Sequence, residues 1–246
     1  MENETLNILK QHMSIRAFTD QVITDEQIAT ILSAAVAGPN MGNFQPVTFI
    51  EITQQSLKQA ITDAVKMHYI ATAKRFFVVV IDYNKILIGL NAEERQKAED
   101  KLSYYSMLEG AIISAGIALG RAQVAAESMG IGTVTMAGTN RALELYQAHL
   151  NLPRYVKPVM GFSLGYPDQN PGIKPKLPLS GFWMKDTYQQ VQLEKTVALY
   201  DETMKDYYKK RELERTWTSN NKASLLADQN LADFTTYAKQ QGFNLK

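Results

Sequence analysis

The sequence predicts a single domain that mixes α-helices with β-strands. Four short runs rich in apolar and β-branched residues have the composition of strands, and segments with helical spacing separate them. Hydrophobic residues make up 45% of the chain and charged residues 21%, a balance typical of globular domains. The chain contains no internal repeat, linker or low-complexity tract. The predicted strands are Val47–Ile52, Phe76–Ile81, Thr133–Met136 and Val159–Gly165.

The first half of the chain carries clear helix boundaries. Thr24 and Gln27 form a capping box, in which a hydroxyl residue is followed three positions later by a glutamine. Gly38-Pro39 ends the helix that follows, because proline cannot continue one. The strand over Phe76–Ile81 is apolar throughout, so we expect it to be covered on both faces. Further helices are predicted over residues 5–11 and 56–67, and an amphipathic, charged segment covers residues 91–102.

The second half begins with the longest predicted helix. Most residues of Ser106–Met129 are small or apolar, which predicts a largely buried helix that a neighbouring element can approach closely. Another helix is predicted over residues 140–150, and a loop rich in proline covers Asn170–Pro178. The last third is mostly polar, and Val191–Lys210 is its clearest helix. We therefore expect residues from about 180 to 246 to form a helical arm that packs on the domain or on a partner.

Charge and composition exclude several classes of protein. Twenty-six basic and 25 acidic residues leave a net charge of +1, which does not indicate nucleic acid or an anionic membrane as a partner. The absence of cysteine excludes disulfides and thiolate metal sites, and no metal site is predicted. The N-terminus lacks the features of a signal peptide, and no stretch approaches the roughly 20 apolar residues of a membrane span. These features predict a cytoplasmic protein.

A cluster of polar residues near the N-terminus suggests an anion site. His12, Ser14 and Arg16 occupy alternate positions, so in an extended segment their side chains leave the same face of the backbone. Two potential cations and a hydroxyl donor suit a phosphate or another anionic group. Taken alone, the pattern also fits an ordinary solvated turn.

Several separated motifs, in this order, resemble the flavin-dependent nitroreductases, in particular the NAD(P)H-dependent flavin reductase and oxygen-insensitive nitroreductase branch. The resemblance covers nearly the whole chain. The motifs are His12-x-Ser14-Ile15-Arg16-x-Phe18, Pro39 with Asn43-x-Gln45-Pro46, Ala125–Gly132, Met136-Ala137-Gly138, Leu164-Gly165-Tyr166-Pro167 and Lys174-Pro175-Lys176-Leu177-Pro178.

The resemblance implies an FMN-binding α+β fold with a central mixed β-sheet flanked by helices. It also implies an intertwined homodimer with FMN at the interface. His12, Ser14, Lys174 and Lys176 would bind the FMN phosphate, and Arg16 would lie along the flavin edge or between that edge and the phosphate. The remaining cofactor-binding residues that the resemblance implies are Pro39, Asn40, Met41, Asn43 and Gln45 from the partner subunit, together with Met67, Met136, Ala137 and Gly138.

The chain departs from the family pattern at four places. Asn40-Met41-Gly42 replaces a serine-rich loop, and Lys176 replaces an arginine that can form a bidentate fork. Met67 stands where a glutamine is frequent. The basic loop that selects NADPH is shorter, although Arg211 and Arg215 remain candidates for binding the 2′-phosphate.

The implied function is transfer of hydride from NAD(P)H through flavin N5 to nitroaromatics, quinones or free flavins by a ping-pong mechanism. The chemistry would be carried by FMN and tuned by Arg16, with no catalytic side chain. The alternative is an FMN carrier or sensor with little turnover. In a third interpretation the fold is the same, but the enzyme reduces activated alkenes or removes halogens from its substrate by reduction. The sequence Gly161–Gly165 matches the serine hydrolase pattern, but a predicted strand is the wrong context for that nucleophile.

Overall fold

The computed structural model describes residues 2–227 and 233–246. These residues form two compact units. The first contains residues 2–171 and 233–246, and the second contains residues 172–227. The sequence-based expectation of a single domain over 1–246 stays a prediction.

The first unit contains a four-stranded sheet. Its strands are β1 (Val47–Glu51), β2 (Arg75–Asp82), β3 (Gly132–Met136) and β4 (Val156–Gly165), in the order β1-β2-β4-β3. All three neighbouring pairs run antiparallel. The α+β class is confirmed, but the sheet is antiparallel where the sequence predicts a mixed one. The one parallel contact among the described residues is the bridge between Ser14 and Thr133. It stays isolated because the N-terminal segment then leaves β3, and its next bridge, between Phe18 and Pro167, is antiparallel.

The predicted helices agree with the structure to within a few residues, whereas the sequence does not predict the short helices Tyr69–Thr72 and Asn84–Leu87. Thr24 Oγ1 accepts the Gln27 backbone N–H at 3.2 Å, and the Gln27 side chain accepts the Thr24 N–H at 2.9 Å, which is the predicted capping box. The helices are α1 (Glu4–Lys10), α2 (Asp25–Val36), α3 (Gln55–Val65), α4 (Tyr69–Thr72), α5 (Asn84–Leu87), α6 (Ala92–Leu102), α7 (Tyr105–Ser128), α8 (Leu143–His149), α9 (Gln190–Lys209), α10 (Trp217–Leu225) and α11 (Phe234–Gln240).

The helix predicted over residues 140–150 starts differently. Ala137–Ala142 forms a 3₁₀ turn, and only Leu143–His149 is α-helical. Two side chains hold the turn against the sheet: Thr139 Oγ1 donates to the Met136 carbonyl at 2.8 Å, and Asn140 Nδ2 donates to the Val159 carbonyl at 2.8 Å. These bonds compete with the regular helical pattern at its start.

Strand β2 is covered on both faces, as predicted. Phe77, Val79 and Ile81 belong to one buried cluster, which also contains residues of α2 and α7. Phe76, Val78 and Val80 alternate with them and belong to a second cluster, which contains residues of α3 and α8. The period of two that defines a strand therefore divides the core between the two sides of the sheet.

Helix α7 buries only one of its faces. Ala111, Ala115 and Ala122 are buried in the core, whereas Ile112 and Ile113 are exposed. The expectation of a largely buried helix is therefore correct for one face only, and within the described part of the first unit the other face stays exposed. Among the described residues no single helix has the length and apolar character of a membrane span. Helices α6 and α7, which are bent by 80° relative to each other, together have the length and composition of a span, but these two criteria are the only ones that they meet.

The predicted C-terminal arm is divided between the two units. In the second unit, Tyr200, Met204 and Tyr208 of α9 form a small apolar cluster, and Trp217 of α10 packs against it. Residues 233–246 instead belong to the first unit, where Phe243 is fully buried. Its ring lies 5.8 Å from that of Tyr155, edge to face. A buried aromatic ring of this size anchors the end of the chain in the first unit.

Candidate functional site

The segment that carries His12, Ser14 and Arg16 is extended beside β3. The backbone N–H of Ile15 donates to the Thr133 carbonyl at 2.9 Å. The Ile15 side chain is buried in the first unit, whereas Ser14 is partly exposed and Arg16 is exposed. Because successive side chains leave opposite faces of an extended backbone, burial of Ile15 turns its neighbours Ser14 and Arg16 away from the core.

Glu127 holds His12 in place. The Nδ1 atom of His12 lies 2.7 Å from Glu127 Oε1, and the hydroxyl of Thr133 donates to the same oxygen at 3.0 Å. Gln123, one helical turn before Glu127, contacts the imidazole ring through its side-chain amide. Sequence reasoning missed Gln123 and Glu127, although their spacing of four on one helix places them on a common face.

Arg16 and Ser14 are largely uncommitted. The nearest aromatic ring to Arg16 is that of Tyr69, whose centroid is 5.8 Å from the guanidinium carbon. One guanidinium nitrogen is 3.4 Å from the Ser14 carbonyl, a long hydrogen bond. Within residues 2–227 and 233–246, Arg16 forms no ion pair and the Ser14 hydroxyl forms no hydrogen bond. A cation and a donor therefore remain free to bind an anion.

Met67 lies against the turn that follows β3. A Cβ atom added at Gly138 would be 2.5 Å from Met67 Cε, so the Met67 side chain packs directly on this glycine. The side chain of Met136 is buried in the core, and Ala137 is exposed. The structure thus places Met67 beside Gly138 and buries the Met136 side chain in the core. Their binding of a cofactor stays a prediction.

The loop after α2 has an unusual backbone. Asn43 and Gln45 have φ angles of 55° and 50°, in the left-handed region, and both are exposed. The Asn40 side chain accepts the Gln45 backbone N–H at 2.9 Å and so stabilises this conformation. Pro39, Asn40 and Gln45 line a cavity of about 150 Å³, together with Lys85 and Ser114.

The Met41 side chain differs from its neighbours in this loop because it points into the core. Its sulfur accepts a hydrogen bond from Tyr83 at 3.7 Å, and a methyl group at Gly110 would overlap that sulfur. Its backbone N–H donates to Ser114 Oγ at 3.0 Å. Met41 thus packs against Gly110 of α7 while remaining half-buried, and its contact with a cofactor stays a prediction.

In the second unit, Lys174 and Lys176 are presented on a well-anchored segment. The intervening Pro175 accepts a hydrogen bond from the Tyr200 hydroxyl at 2.8 Å, and Leu177 packs on the apolar cluster of α9. Both lysines are exposed. The ammonium of Lys174 lies 5.7 Å from the centroid of the Tyr208 ring, which belongs to the same cluster.

Arg211 and Arg215 have different surroundings. The Arg211 guanidinium carbon lies 3.8 Å from the centroid of the Tyr207 ring, a cation–π contact. Arg215 lines a cavity of about 630 Å³. The other charged residues around that cavity are Lys205, Lys209, Glu202, Glu212 and Glu214.

The serine hydrolase pattern has no catalytic geometry. Ser163 is fully buried in the middle of β4, and the pattern lacks the exposed strand-to-helix turn that a nucleophilic serine needs. His68 and His149 are both exposed. The match is therefore a coincidence of sequence, as predicted.

The fold and the ordered motifs define a class of protein. Residues 9–166 match the model of the nitroreductase family, and residues 174–246 match the model of the nitroreductase family C-terminal domain. The chain belongs to the nitroreductase family.

Individual relatives extend the match over most of the chain. An FMN reductase [NAD(P)H] of Bacillus subtilis is 35% identical over 202 residues, or 81% of each chain. An oxygen-insensitive NADPH nitroreductase of Salmonella typhimurium is 33% identical and covers 80% of each. Among solved structures, the hypothetical oxidoreductase YcnD from Bacillus subtilis superposes with a TM-score of 0.92 at 31% identity over the full length of both chains. The NADPH:FMN oxidoreductase from Vibrio harveyi, complexed with NAD+, gives 0.85 at 28% identity over 99% of this chain and all of that one.

Proposed function

We propose that this protein is an NAD(P)H-dependent FMN oxidoreductase that reduces nitroaromatics, quinones or free flavins. The observation that carries the proposal is the polar segment beside β3, where Ser14 and Arg16 are uncommitted and His12 is held by Glu127. A phosphate monoester is best held by cationic side chains and a hydroxyl, and this face offers both. The relatives named as FMN reductases and as an NADPH nitroreductase support the same activity.

The residues present fit FMN. His12, Ser14 and Arg16 would hold its phosphate and the adjoining flavin edge, and Gly138 would let the backbone approach the ring closely. FMN, when bound, supplies hydride chemistry at N5, so the protein needs no catalytic side chain of its own. The part of this chain is to bind the cofactor, to orient it and to set its electrostatic surroundings.

Further residues are proposed as ligands by resemblance. Lys174 and Lys176 are proposed to bind phosphate, and Pro39, Asn40, Asn43 and Gln45 to reach the flavin of the partner subunit. We propose that Met41, Met67, Met136 and Ala137 contribute to FMN binding through their backbone or through packing, and not through polar side-chain contacts. Arg211 and Arg215 are proposed to bind NADPH, but carboxylates at Glu212 and Glu214 border the same cavity as Arg215 and favour a ribose hydroxyl over a phosphate.

We also propose a homodimer with FMN at its interface. The exposed face of α7 supports it, because Ile112, Ile113 and Ile117 form an apolar stripe with Gly116 and Gly120 between them. Glycines at spacing four let two helices approach closely. A cytoplasmic location is likewise proposed, on the absence of cysteine.

A visible absorption spectrum of the purified protein tests the function. We expect flavin bands, at once or after addition of FMN, that bleach when NADPH or NADH is added without oxygen. Steady-state oxidation of the nicotinamide with a quinone then separates an enzyme from a flavin carrier. A protein that does not take up FMN would contradict the proposal, and one that binds FMN without turnover would favour the carrier.

A further inference from the structure

Glu127 occupies a position that is electrostatically unfavourable without a partner. It lies in the last turn of α7, where the helix dipole opposes a negative charge. Its side chain is only 15% exposed, so its carboxylate has lost much of its contact with water. A carboxylate in this position requires donors from other elements.

Two such donors meet at one oxygen of Glu127. His12 Nδ1 is 2.7 Å from Oε1, a distance typical of a charge-assisted hydrogen bond, and the Thr133 hydroxyl donates to Oε1 at 3.0 Å. Glu127 therefore joins the end of α7, the extended segment and β3. His12 and Glu127 are 115 positions apart in the chain, so only the fold brings them together.

We propose that Glu127 is a positioning residue for phosphate binding: it accepts the Nδ1 proton of His12 and so leaves Nε2 as the nitrogen that donates to the phosphate. This inference rests on the proposed function. A carboxylate on one imidazole nitrogen fixes the tautomer and orientation of the other, as it does for histidine ligands of metals. The side-chain amide nitrogen of Gln123 lies 3.2 Å from Nε2, so the phosphate takes the place of this contact. With a phosphate bound, both ring nitrogens donate, and the ring lies between two anions.

The proposal makes an unusual prediction about charge. Glu127 is itself negative, so by simple Coulomb repulsion its removal would strengthen binding of an anion. If Glu127 acts through His12, its removal weakens binding instead, but only while His12 is present. A double-mutant cycle with His12→Asn distinguishes these two cases.

The first experiment compares the affinities of the apoprotein for FMN and for riboflavin, which lacks the phosphate. We expect Glu127→Leu to weaken FMN binding about tenfold or more, the usual effect of losing a hydrogen bond to a charged group. Riboflavin binding should stay nearly unchanged. In the His12→Asn background, Glu127→Leu should leave FMN affinity unchanged or raise it.

Control variants separate positioning from folding. Glu144→Leu removes an exposed glutamate for which the described residues show no ion pair, and it should not change either affinity. Thermal unfolding checks that each variant is folded. Glu127→Gln keeps the shape and one acceptor oxygen, so it should lose less FMN affinity than Glu127→Leu and serves if the leucine variant does not fold.

A second readout reports on His12 directly. The chain has only three histidines, and His68 and His149 are exposed, so they are internal references in a ¹⁵N spectrum of the imidazoles. We expect the neutral ring of His12 to carry its proton on Nδ1 in the wild type and to lose this preference in Glu127→Leu.

The outcomes distinguish this inference from the function on which it rests. If wild-type protein binds no FMN, the proposed function fails and the role of Glu127 with it. If wild-type protein binds FMN but Glu127→Leu weakens FMN and riboflavin equally, or leaves the His12 spectrum unchanged, only the positioning role is overturned.

Discussion

At the scale of single residues, the charges without close partners are the informative ones. Arg75 donates to two carboxylates, those of Glu51 and Asp25, and is a structural cation. Arg16 is exposed and, in the described part of the chain, pairs with no carboxylate. A positive charge without a carboxylate partner among the described residues, beside a free hydroxyl on the same extended segment, is available to an anionic ligand.

The role of Arg16 can be tested by removing its charge. Arg16→Ala should weaken FMN binding about tenfold, because a charge-assisted contact is lost. It should also lower the flavin potential, since the positive charge stabilises the anionic reduced flavin. Redox titration and flavin fluorescence measure both effects.

Arg95→Ala is the matched control, because Arg95 pairs with Glu99 on the exposed helix α6. It should change neither quantity. A full complement of FMN with an unchanged potential in Arg16→Ala would remove Arg16 from this role.

Lys157 is a buried cation without a carboxylate. Its ammonium donates to the Pro158 carbonyl at 3.2 Å and lies 5.8 Å from the Phe234 ring, and it pairs with no acid among the described residues. Burial lowers the pKa of Lys157, so the charged form costs stability at neutral pH. Lys157→Met should therefore raise the free energy of unfolding by about 1 kcal/mol at pH 7.

The sign of the pH dependence follows from that lowered pKa. The loss of stability from burying the charged ammonium is complete below the pKa that Lys157 has in the folded state. It disappears as the pH rises from that pKa toward the ordinary pKa of lysine. The advantage of Lys157→Met should accordingly shrink in alkaline solution. Urea unfolding of the wild type and of Lys157→Met, at neutral and at alkaline pH, measures this advantage. If the two free energies of unfolding differ by the same amount at both pH values, that result contradicts the argument.

At the scale of elements, local sequence signals explain where helices begin. The capping box of α2 satisfies a backbone N–H that the first helical turn leaves without a partner, because Thr24 accepts the N–H of Gln27. The start of the 3₁₀ turn at Ala137 shows the opposite case. There, side-chain bonds to the sheet override helical propensity, and the α-helix begins only at Leu143.

Removal of the cap tests this account. Thr24→Ala should lower the free energy of unfolding by about 1 kcal/mol, the usual cost of losing an N-cap hydroxyl. Thr30 lies in the middle of the same helix, where its hydroxyl bonds back to the Glu26 carbonyl. Thr30→Ala should be neutral or slightly stabilising, because alanine has the higher helix propensity. Equal losses in the two variants would contradict a capping role.

At the scale of the whole molecule, the exposed apolar face of α7 connects the fold to the proposed assembly. Ile113 is 58% exposed in this chain and lies beside Gly116 and Ile117. If a second copy covers this face, a charge there is buried in the dimer without a partner. Ile113→Glu should then give a monomer that retains FMN poorly, as sedimentation and flavin content would show.

The control for the interface is another exposed isoleucine. Ile88 is 75% exposed and follows α5, outside the α7 face. Ile88→Glu should leave both the mass and the flavin content unchanged. A wild-type protein that sediments as a monomer, or an Ile113→Glu variant that remains dimeric, would contradict the proposed interface.

The sequence by itself determined the strands, most helix boundaries, the burial of β2 on both faces and the family. These features depend on periodicity, capping residues and ordered motifs, which act over a few neighbouring positions. The family prediction is confirmed by the matches over residues 9–166 and 174–246. The alternation that turns Ser14 and Arg16 away from the core is also local, because it needs only an extended backbone.

Only the tertiary structure decided which distant residues meet. Met41 fills the space that Gly110 leaves, Glu127 holds His12, and residues 233–246 belong to the first unit beside Tyr155. Strand pairing is antiparallel for the same reason: register and direction depend on how the connecting segments cross the sheet. Such contacts join positions tens to more than a hundred residues apart, and no local pattern specifies them, because their energy appears only when the chain has folded.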